Sequence, residues 1–360
     1  MAGMNRFAFP ACVLLLALLP LCWPDPYLLS VVASCGIFIV AAISLNLLLG
    51  YTGQLSLGHT AFFGIGAYTT ALMSLGFDVT LPGLEQPLAV APQPVWLSFA
   101  GGVLAAGLAG WLLGRLALRV RGAYFVIVTI SFAQVMRMVA LNWVDLTEGP
   151  MALNNIPAPT LWLPGQGVVE LTTKAATYWL VLAVAAAAWL LVAALVRSRA
   201  GRAMIALREN ETLARSVGIE VTRYLRLAAV VSAGIAGAAG CLYAHTVRII
   251  DPDVFAFMFT ITMVIMVIVG GKGTLAGPVA GGLIFGLLPE ALRGTVAPEV
   301  QWMIYGALMI AVLCLMPRGI VPAAGSLLRR RRRPAAMAEA AAPAPPAPQA
   351  AAPATRGEAA

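Results

Sequence analysis

The chain has 360 residues, of which 61% are hydrophobic and 11% charged, with a formal net charge of +8. A soluble globule of this length needs far more surface charge and less apolar residue, so the composition specifies a polytopic membrane protein. The basic excess follows the orientation of the spans and is not a nucleic-acid footprint.

About ten apolar segments succeed one another, near residues 7–23, 27–49, 60–76, 95–114, 122–143, 177–196, 227–246, 254–270, 275–290 and 301–316. A helix needs about 20 residues to cross the hydrocarbon core, so several of these are short. The first, in MAGMNRFAFPACVLLLALLPLCWPDP, follows one arginine and lacks a small-x-small cleavage site. An uncleaved first helix with its outer turn is expected over 1–26.

After the second segment comes GYTGQLSLGHTAFFGIGAY, residues 50–68. No charged side chain occurs between Gly50 and His59. A solvated loop is therefore not expected there, and an interrupted helix end held in protein contact is. The fifth segment carries Arg137, the one charge far from both ends of a span. A central arginine costs ~2.5–3.5 kcal/mol on insertion scales, so it should face protein or water. Two readings stay open: it snorkels to the outer surface, or it lines a pathway or neutralises a helix C-terminus.

The connection 144–176 contains TEGPMALNNIPAPT and LPGQG, which argues for turns and not a domain. The long connection 197–226 holds seven arginines. Within it GRAMIALRENETLARSVG predicts one short helix stopped by Gly218. Ala203, Leu207, Ala214 and Val217 should share one face, with Arg208, Glu211 and Arg215 near one another on another. Acidic residues interrupt the basic face and the apolar stripe is small, which fits a protein partner better than a lipid surface. The eighth and ninth segments flank VGGKGTLAGPVAGG, whose glycine-rich interruption echoes the first in opposite topology and points to inverted repeats. The tail after Arg333, PAAMAEAAAPAPPAPQAAAPATRGEAA, has no composition for a packed core and is expected to be disordered. The arginines before it should rest near anionic headgroups. The expected division is thus 1–26, a core over 27–322, and a basic then Ala/Pro-rich tail over 323–360.

Charge placement tests the alternation. Arg6, Arg115, Arg119, Arg121, the arginines from Arg197 to Arg226, Lys272, Arg318, Arg329 to Arg333 and Arg356 fall on one side. Lys174, Arg248 and Arg293 fall on the other, with most acidic residues. Ten crossings with both termini cytoplasmic follow.

Chemistry is constrained by what is missing from the sequence. No carboxylate lies deep within a predicted span, which disfavours a proton-coupled carrier, although sodium sites built from carbonyls stay open. There is no GxSxG, HExxH or carboxylate pair, so no enzyme is expected. GGKGT at 270–274 lacks the GxxxxGK[ST] spacing of a phosphate loop, and Lys272 reads as a tight turn. If ATP is used, another chain binds it; no cofactor and no metal are expected on this one. His59 and His245 read as hydrogen-bonded packing residues, and the five cysteines as small core residues.

Several motifs together resemble one family. SLNLLLGYTGQLSLGHTAFFGIGAYTTALM at 44–73, GRAMIALRENETLARSVGIEVTRY at 201–224, VGGKGTLAGPVAGGLIFGLLPE at 269–290 and MPRGIVP at 316–322 are similar, in order and spacing, to the LivM-type permease subunits of branched-chain amino acid ABC transporters. The resemblance implies a fold like the ten-helix importers typified by the cobalamin system. It also implies a second, LivH-type permease subunit, two cytoplasmic ATP-binding subunits and a periplasmic substrate-binding protein, in a bacterial inner membrane. In that setting Leu207, Leu213, Ala214 and Gly218 look like a degenerate permease coupling loop, with Arg208, Glu209, Asn210 and Glu211 supplying polar contact to the ATPase subunit. Asn46, Gln54, Ser56 and His59, with Arg137, are the candidates for lining the translocation route. Urea, amides or aromatic acids are alternative cargo for the same machinery, and an ion-coupled carrier is the rival outside it. One departure stands out. The family pattern Thr-Gly-Gly-x-x-Gly-x-x-Gly-Ile-Pro keeps Thr147, Gly149, Ile156 and Pro157 here, but Glu148, Ala152 and Asn155 replace glycines. A different loop conformation is expected from that loss.

Overall fold

The computed structural model describes residues 16–20, 25–79, 88–117, 122–163, 167–292, 297–316 and 319–324. Most of the expected first helix and nearly all of the tail from 323 lie outside these residues. The helices and their connections belong to one compact unit, Met1–Pro322.

Helix α1 (Pro26–Asn46) starts where Asp25 accepts the amide of Tyr27 and Pro26 supplies the first-turn φ. It runs on as a π-helical segment, Leu47–Thr52. Next come α2 (Thr60–Leu75), α3 (Val95–Ala117), α4 (Ala123–Asn142) and the single turn α5 (Val144–Thr147). Helix α6 (Lys174–Arg197) is capped by Thr173, whose hydroxyl accepts the amide of Ala176. Two short helices, α7 (Arg199–Glu209) and α8 (Glu211–Ser216), lead into the 27-residue α9 (Val221–Val247). Helices α10 (Phe257–Gly270), α11 (Gly277–Leu292) and α12 (Pro298–Leu315) follow.

Among the described residues five helical stretches are long and apolar enough to cross a membrane: Pro26–Thr52, Val95–Leu116, Ala123–Asn142, Lys174–Arg197 and Val221–Val247. Thr60–Leu75, Phe257–Gly270 and Gly277–Leu288 are apolar but shorter. Their shortness has a cause in each case. A glycine-rich break precedes α2, and the 271–276 turn containing Lys272 separates α10 from α11.

The expectation of an all-α chain needs correction. Two antiparallel hairpins occupy the connections: β1 (Phe77–Val79) with β2 (Leu88–Val90), and β3 (Thr160–Leu163) with β4 (Gly167–Glu170). The pairs Phe77↔Val90 and Thr160↔Glu170 set their registers. Each is a two-stranded ribbon that relies on the helices for stability.

Helices α1 and α9 form the centre and bury most of their length. Helix α9 packs on α2 and α3; α1 packs on α6, α11 and α9. Close approach is permitted by small residues: a Cβ on Gly66 would strike the backbone of Gly237, and one on Gly240 the carbonyl of Phe63. With lipid as solvent, such backbone proximity supplies the dispersion contacts that hold helices together. Leu104, Leu108 and Leu112 of α3 and Tyr124 and Ile127 of α4 remain exposed, an apolar face suited to lipid. Cys35 and Cys241 are buried as expected, but Cys314 is exposed; Cys12 and Cys22 lie outside the described residues.

Candidate functional site

The break after α1 is built by its own sequence. The Gly53 amide bonds the carbonyl of Leu48, as does that of Gln54 at 3.2 Å, and the Thr52 hydroxyl donates to the same oxygen at 2.7 Å. Three donors on one carbonyl widen the last turns, and Gly53 ends them at φ +75°, a conformation glycine adopts without a Cβ clash. Residues 54–58 then run irregularly to His59 at the head of α2.

Two distant segments close on this break. Asn46 Nδ2 donates to the Thr274 carbonyl at 2.9 Å, and Asn46 Oδ1 accepts the Gly273 amide at 2.9 Å. The two glycine-rich interruptions therefore meet, one side chain satisfying a donor and an acceptor of the other. A Cβ on Gly50 would collide with Asn46 Oδ1 and the Gly273 backbone, so glycine is required by proximity. From the connection between α6 and α9, Arg208 Nη1 donates to the Gly50 carbonyl at 2.7 Å.

The other expected pathway residues fall around the same break. His59 is fully buried, its Nε2 lying 2.7 Å from Ser44 Oγ, while Ser44 Oγ donates to Ala41 O. The serine proton is thus committed to Ala41, so Nε2 carries the hydrogen and donates to serine. Ser232 of α9 donates to the Ser44 carbonyl at 2.6 Å, drawing α1, α2 and α9 together. Gln54 is half-buried; Ser56 Oγ and His59 Nδ1 are buried with no hydrogen-bond partner among the described residues. Arg137 lies elsewhere: Nη2 pairs with Asp253 Oδ1 at 2.7 Å, joining α4 to the turn before α10. Of the expected set, Asn46, Gln54, Ser56 and His59 share one region and Arg137 does not join them. The sequence reading missed Ser44, Thr60 and Thr260, whose hydroxyls lie in the same packing. Thr260 Oγ1 donates to Thr60 Oγ1 at 3.1 Å, and Thr60 Oγ1 to the Phe255 carbonyl at 3.3 Å. Buried hydroxyls in apolar spans were the available signal.

The connection 197–226 departs from the single predicted helix. Asn210 adopts an extended backbone, and its Oδ1 accepts the Leu213 amide at 3.0 Å. An asparagine that caps a new helix ends the old one, so α7 and α8 are separate. Gly218 stops α8 at φ +86°, as expected. Ala203, Leu207 and Ala214 are buried on the inner face with Val221 and Leu225, but Val217 is 70% exposed and leaves that face. Leu213 is also 64% exposed. Arg215 pairs with Glu211 at 3.2 Å along α8, whereas Arg208 stands apart from them and pairs with Glu209. The arrangement is a capped helical elbow with an apolar inner face and two exposed apolar side chains at its tip.

At the opposite end, the 147–157 segment holds an unusual backbone at the three positions where glycines are replaced. Glu148, Ala152 and Asn155 all have positive φ, at 57°, 64° and 59°. All three positions lie in the region that favours glycine while carrying side chains. Contacts to the end of α9 and to Ile250 just beyond it hold them there. Leu153 and Ile250 exchange backbone hydrogen bonds at 2.9 and 3.0 Å, and His245 Nδ1 donates to the Pro157 carbonyl at 2.9 Å. His245 Nε2 then accepts from Thr70 at 3.0 Å, joining α2 to the segment.

Residues 27–313 match the family model described as "Branched-chain amino acid transport system / permease component". The chain belongs to this family. This permease is similar to the high-affinity branched-chain amino acid transport system permease protein LivM of Escherichia coli strain K12. That relative is 30% identical over 341 residues, covering 86% of this chain and 74% of its own length. LivM of Salmonella typhimurium gives the same identity and coverage. Similarity extends to the LivH permease protein of Escherichia coli K12, 31% identical over 298 residues, which cover 79% of this permease and 91% of LivH. No solved structure matches the permease.

Proposed function

We propose that this permease is the LivM-type translocation subunit of an ATP-driven importer of branched-chain amino acids. It pairs with a LivH-type permease, two cytoplasmic ATP-binding subunits and a periplasmic substrate-binding protein. The relatives' printed names support the cargo class and the pairing. The chain sits in the bacterial inner membrane with both termini cytoplasmic, makes ten crossings, and has the inverted-repeat, cobalamin-type importer fold. Asp and Glu concentrated on one side and arginine on the other support that orientation.

The observation that carries the reading is the elbow of α7 and α8. A span-to-span connector in water has no reason to expose Leu213 and Val217 while burying Leu207 and Ala214 beneath them. A partner protein that accepts the tip gives those residues their use, and an ATP-binding subunit is the partner a permease requires. Gln54, Ser56, Asn46 and His59 line the route beside the break, with Arg137 at its outer approach. A zwitterion crossing hydrocarbon needs dipoles, and the broken end of α1 supplies carbonyls that no helix continues to satisfy. Specificity rests with the binding protein, because tight binding in the pathway would slow release.

Reconstitution tests this. The permease pair with its ATPase subunits and binding protein, in proteoliposomes, should take up leucine only with ATP. Urea as the sole effective competitor would change the cargo. Uptake that ignores the ATPase and collapses with an ion gradient would make the chain a secondary carrier.

A further inference from the structure

We propose that Arg208 is a mechanical tie between the coupling elbow and the broken end of α1, a positioning residue turned into the membrane domain and not a surface contact for the ATPase. This rests on the importer reading above and says how motion at the elbow would reach the pathway.

Three segments converge on the guanidinium. Its Nη1 donates to the Gly50 carbonyl at 2.7 Å. The last carbonyls of a helix lack intrahelical donors and carry the negative end of its dipole, so a cation there satisfies both needs, even with the Arg208 side chain 33% exposed. The stem of Arg208 lies against Gly53: a Cβ on that glycine would stand 3.1 Å from Arg208 Cγ. The 271–276 turn closes the third side, since a Cβ on Gly273 would come within 2.7 Å of Arg208 Nη1 and 2.8 Å of the Gly50 carbonyl. On the far side Nε and Nη2 both donate to Glu209 Oε1, at 3.2 and 2.5 Å. The planar fork therefore has one arm on the membrane segment and the other on the elbow, which a lysine cannot reproduce with a single nitrogen.

The consequence is mechanical. Arg208 sits in the last turn of α7, directly before the Asn210 hinge that separates α7 from α8. Displacement of α8 by a partner bears on α7, and Arg208 transmits it to Gly50. The Gly50 carbonyl belongs to the π-helical segment whose exit, Gly53 to Gly58, holds Gln54 and Ser56. Asn46 passes the same displacement to the 273–274 turn and so to α10 and α11.

The test uses the complete transporter in proteoliposomes, measuring leucine uptake per ATP hydrolysed, with hydrogen exchange on residues 47–55 in parallel. Arg208→Ala should assemble with its ATPase subunits in normal ratio and hydrolyse ATP, yet move about tenfold less leucine per ATP, as losing a charge-assisted hydrogen bond predicts. The amides of Gly53 and Gln54 should exchange about tenfold faster. Arg208→Lys should fall between it and the unaltered protein, and Gly273→Ala should reproduce the uncoupling by wedging the junction. If Arg208→Ala fails to insert, the lysine and Gly273 variants carry the test by the same two readouts. Unchanged uptake per ATP, equal losses of hydrolysis and uptake, or loss of the ATPase subunit on co-purification would each overturn the tie. ATP-independent uptake by the unaltered complex would instead sink the importer reading, leaving the exchange result to judge the contact itself.

Discussion

Asn46 and Gly273, 227 positions apart, share a hydrogen bond of 2.9 Å between Oδ1 and the backbone amide. The same side chain donates to the carbonyl of Thr274, so one asparagine satisfies both polarities of a turn belonging to another pair of helices. It joins the break after α1 to the break between α10 and α11.

Removing that side chain should be costly. Asn46→Ala leaves the Gly273 amide and the Thr274 carbonyl without their partner in a part-buried site, at about 1–3 kcal/mol for each unsatisfied group. The detergent-solubilised permease should melt several degrees lower. Asn46→Asp keeps the acceptor, loses the donor and buries a charge, and should be no better. A melting temperature equal to the unaltered protein's would show that water or a rearranged turn serves those groups.

The strained segment at the opposite end makes the reverse prediction. Ala152 sits at φ 64° and ψ 145°, a region almost restricted to glycine. Ala152→Gly should relieve strain of about 1–3 kcal/mol and return part of it to unfolded-chain entropy, for a net gain of about 1 kcal/mol. Thermal melting should rise while uptake is unchanged. A lower melting temperature would mean that the alanine methyl, which is buried, contributes more by packing than the backbone loses.

Helix crossing tests the packing claim. A side chain on Gly66 has no room against Gly237, so Gly66→Val forces α2 away from α9. Overpacking of a close backbone contact costs about 1–3 kcal/mol and often more. The variant should lose its monodisperse peak in size-exclusion chromatography. Val at Gly107, where the nearest atom to a Cβ is the Val230 carbonyl at 4.0 Å, is the control that should behave normally.

The elbow predicts a separable defect. Leu213→Glu with Val217→Glu alters only exposed side chains, so insertion and melting should be unchanged. Co-purification of the ATP-binding subunit should fall at least about tenfold, as for the central apolar residues of an interface. Retained co-purification would move the docking surface off the tip of α8. Because Arg208 points the other way, its variants should keep the partner that these lose.

Local chemistry made much of this protein legible in one dimension. Apolar runs marked the spans because lipid tolerates little else, and Gly218 announced its helix stop through its own backbone preference. The uncharged 50–59 stretch read correctly as an interrupted helix end, since a charged loop at that depth has no solvent. The Asn210 cap was missed although its signal is local: helix formers on both sides outweighed one asparagine. What no window could show was the partner of each buried polar group. That Arg208 takes the carbonyl of Gly50, 158 positions away, and leaves Glu211 and Arg215 to each other depends on how α7 folds back beneath α1. That Glu148, Ala152 and Asn155 adopt a glycine's backbone depends on bonds from His245 and Ile250, at and just beyond the end of α9, which hold the segment against the preference of its own residues. The sequence by itself determined a membrane bundle, its breaks and its family, because those follow from hydropathy, backbone preference and motif order. Only the tertiary structure decided which break meets which and where Arg208 points, because those contacts join segments that share no local signal.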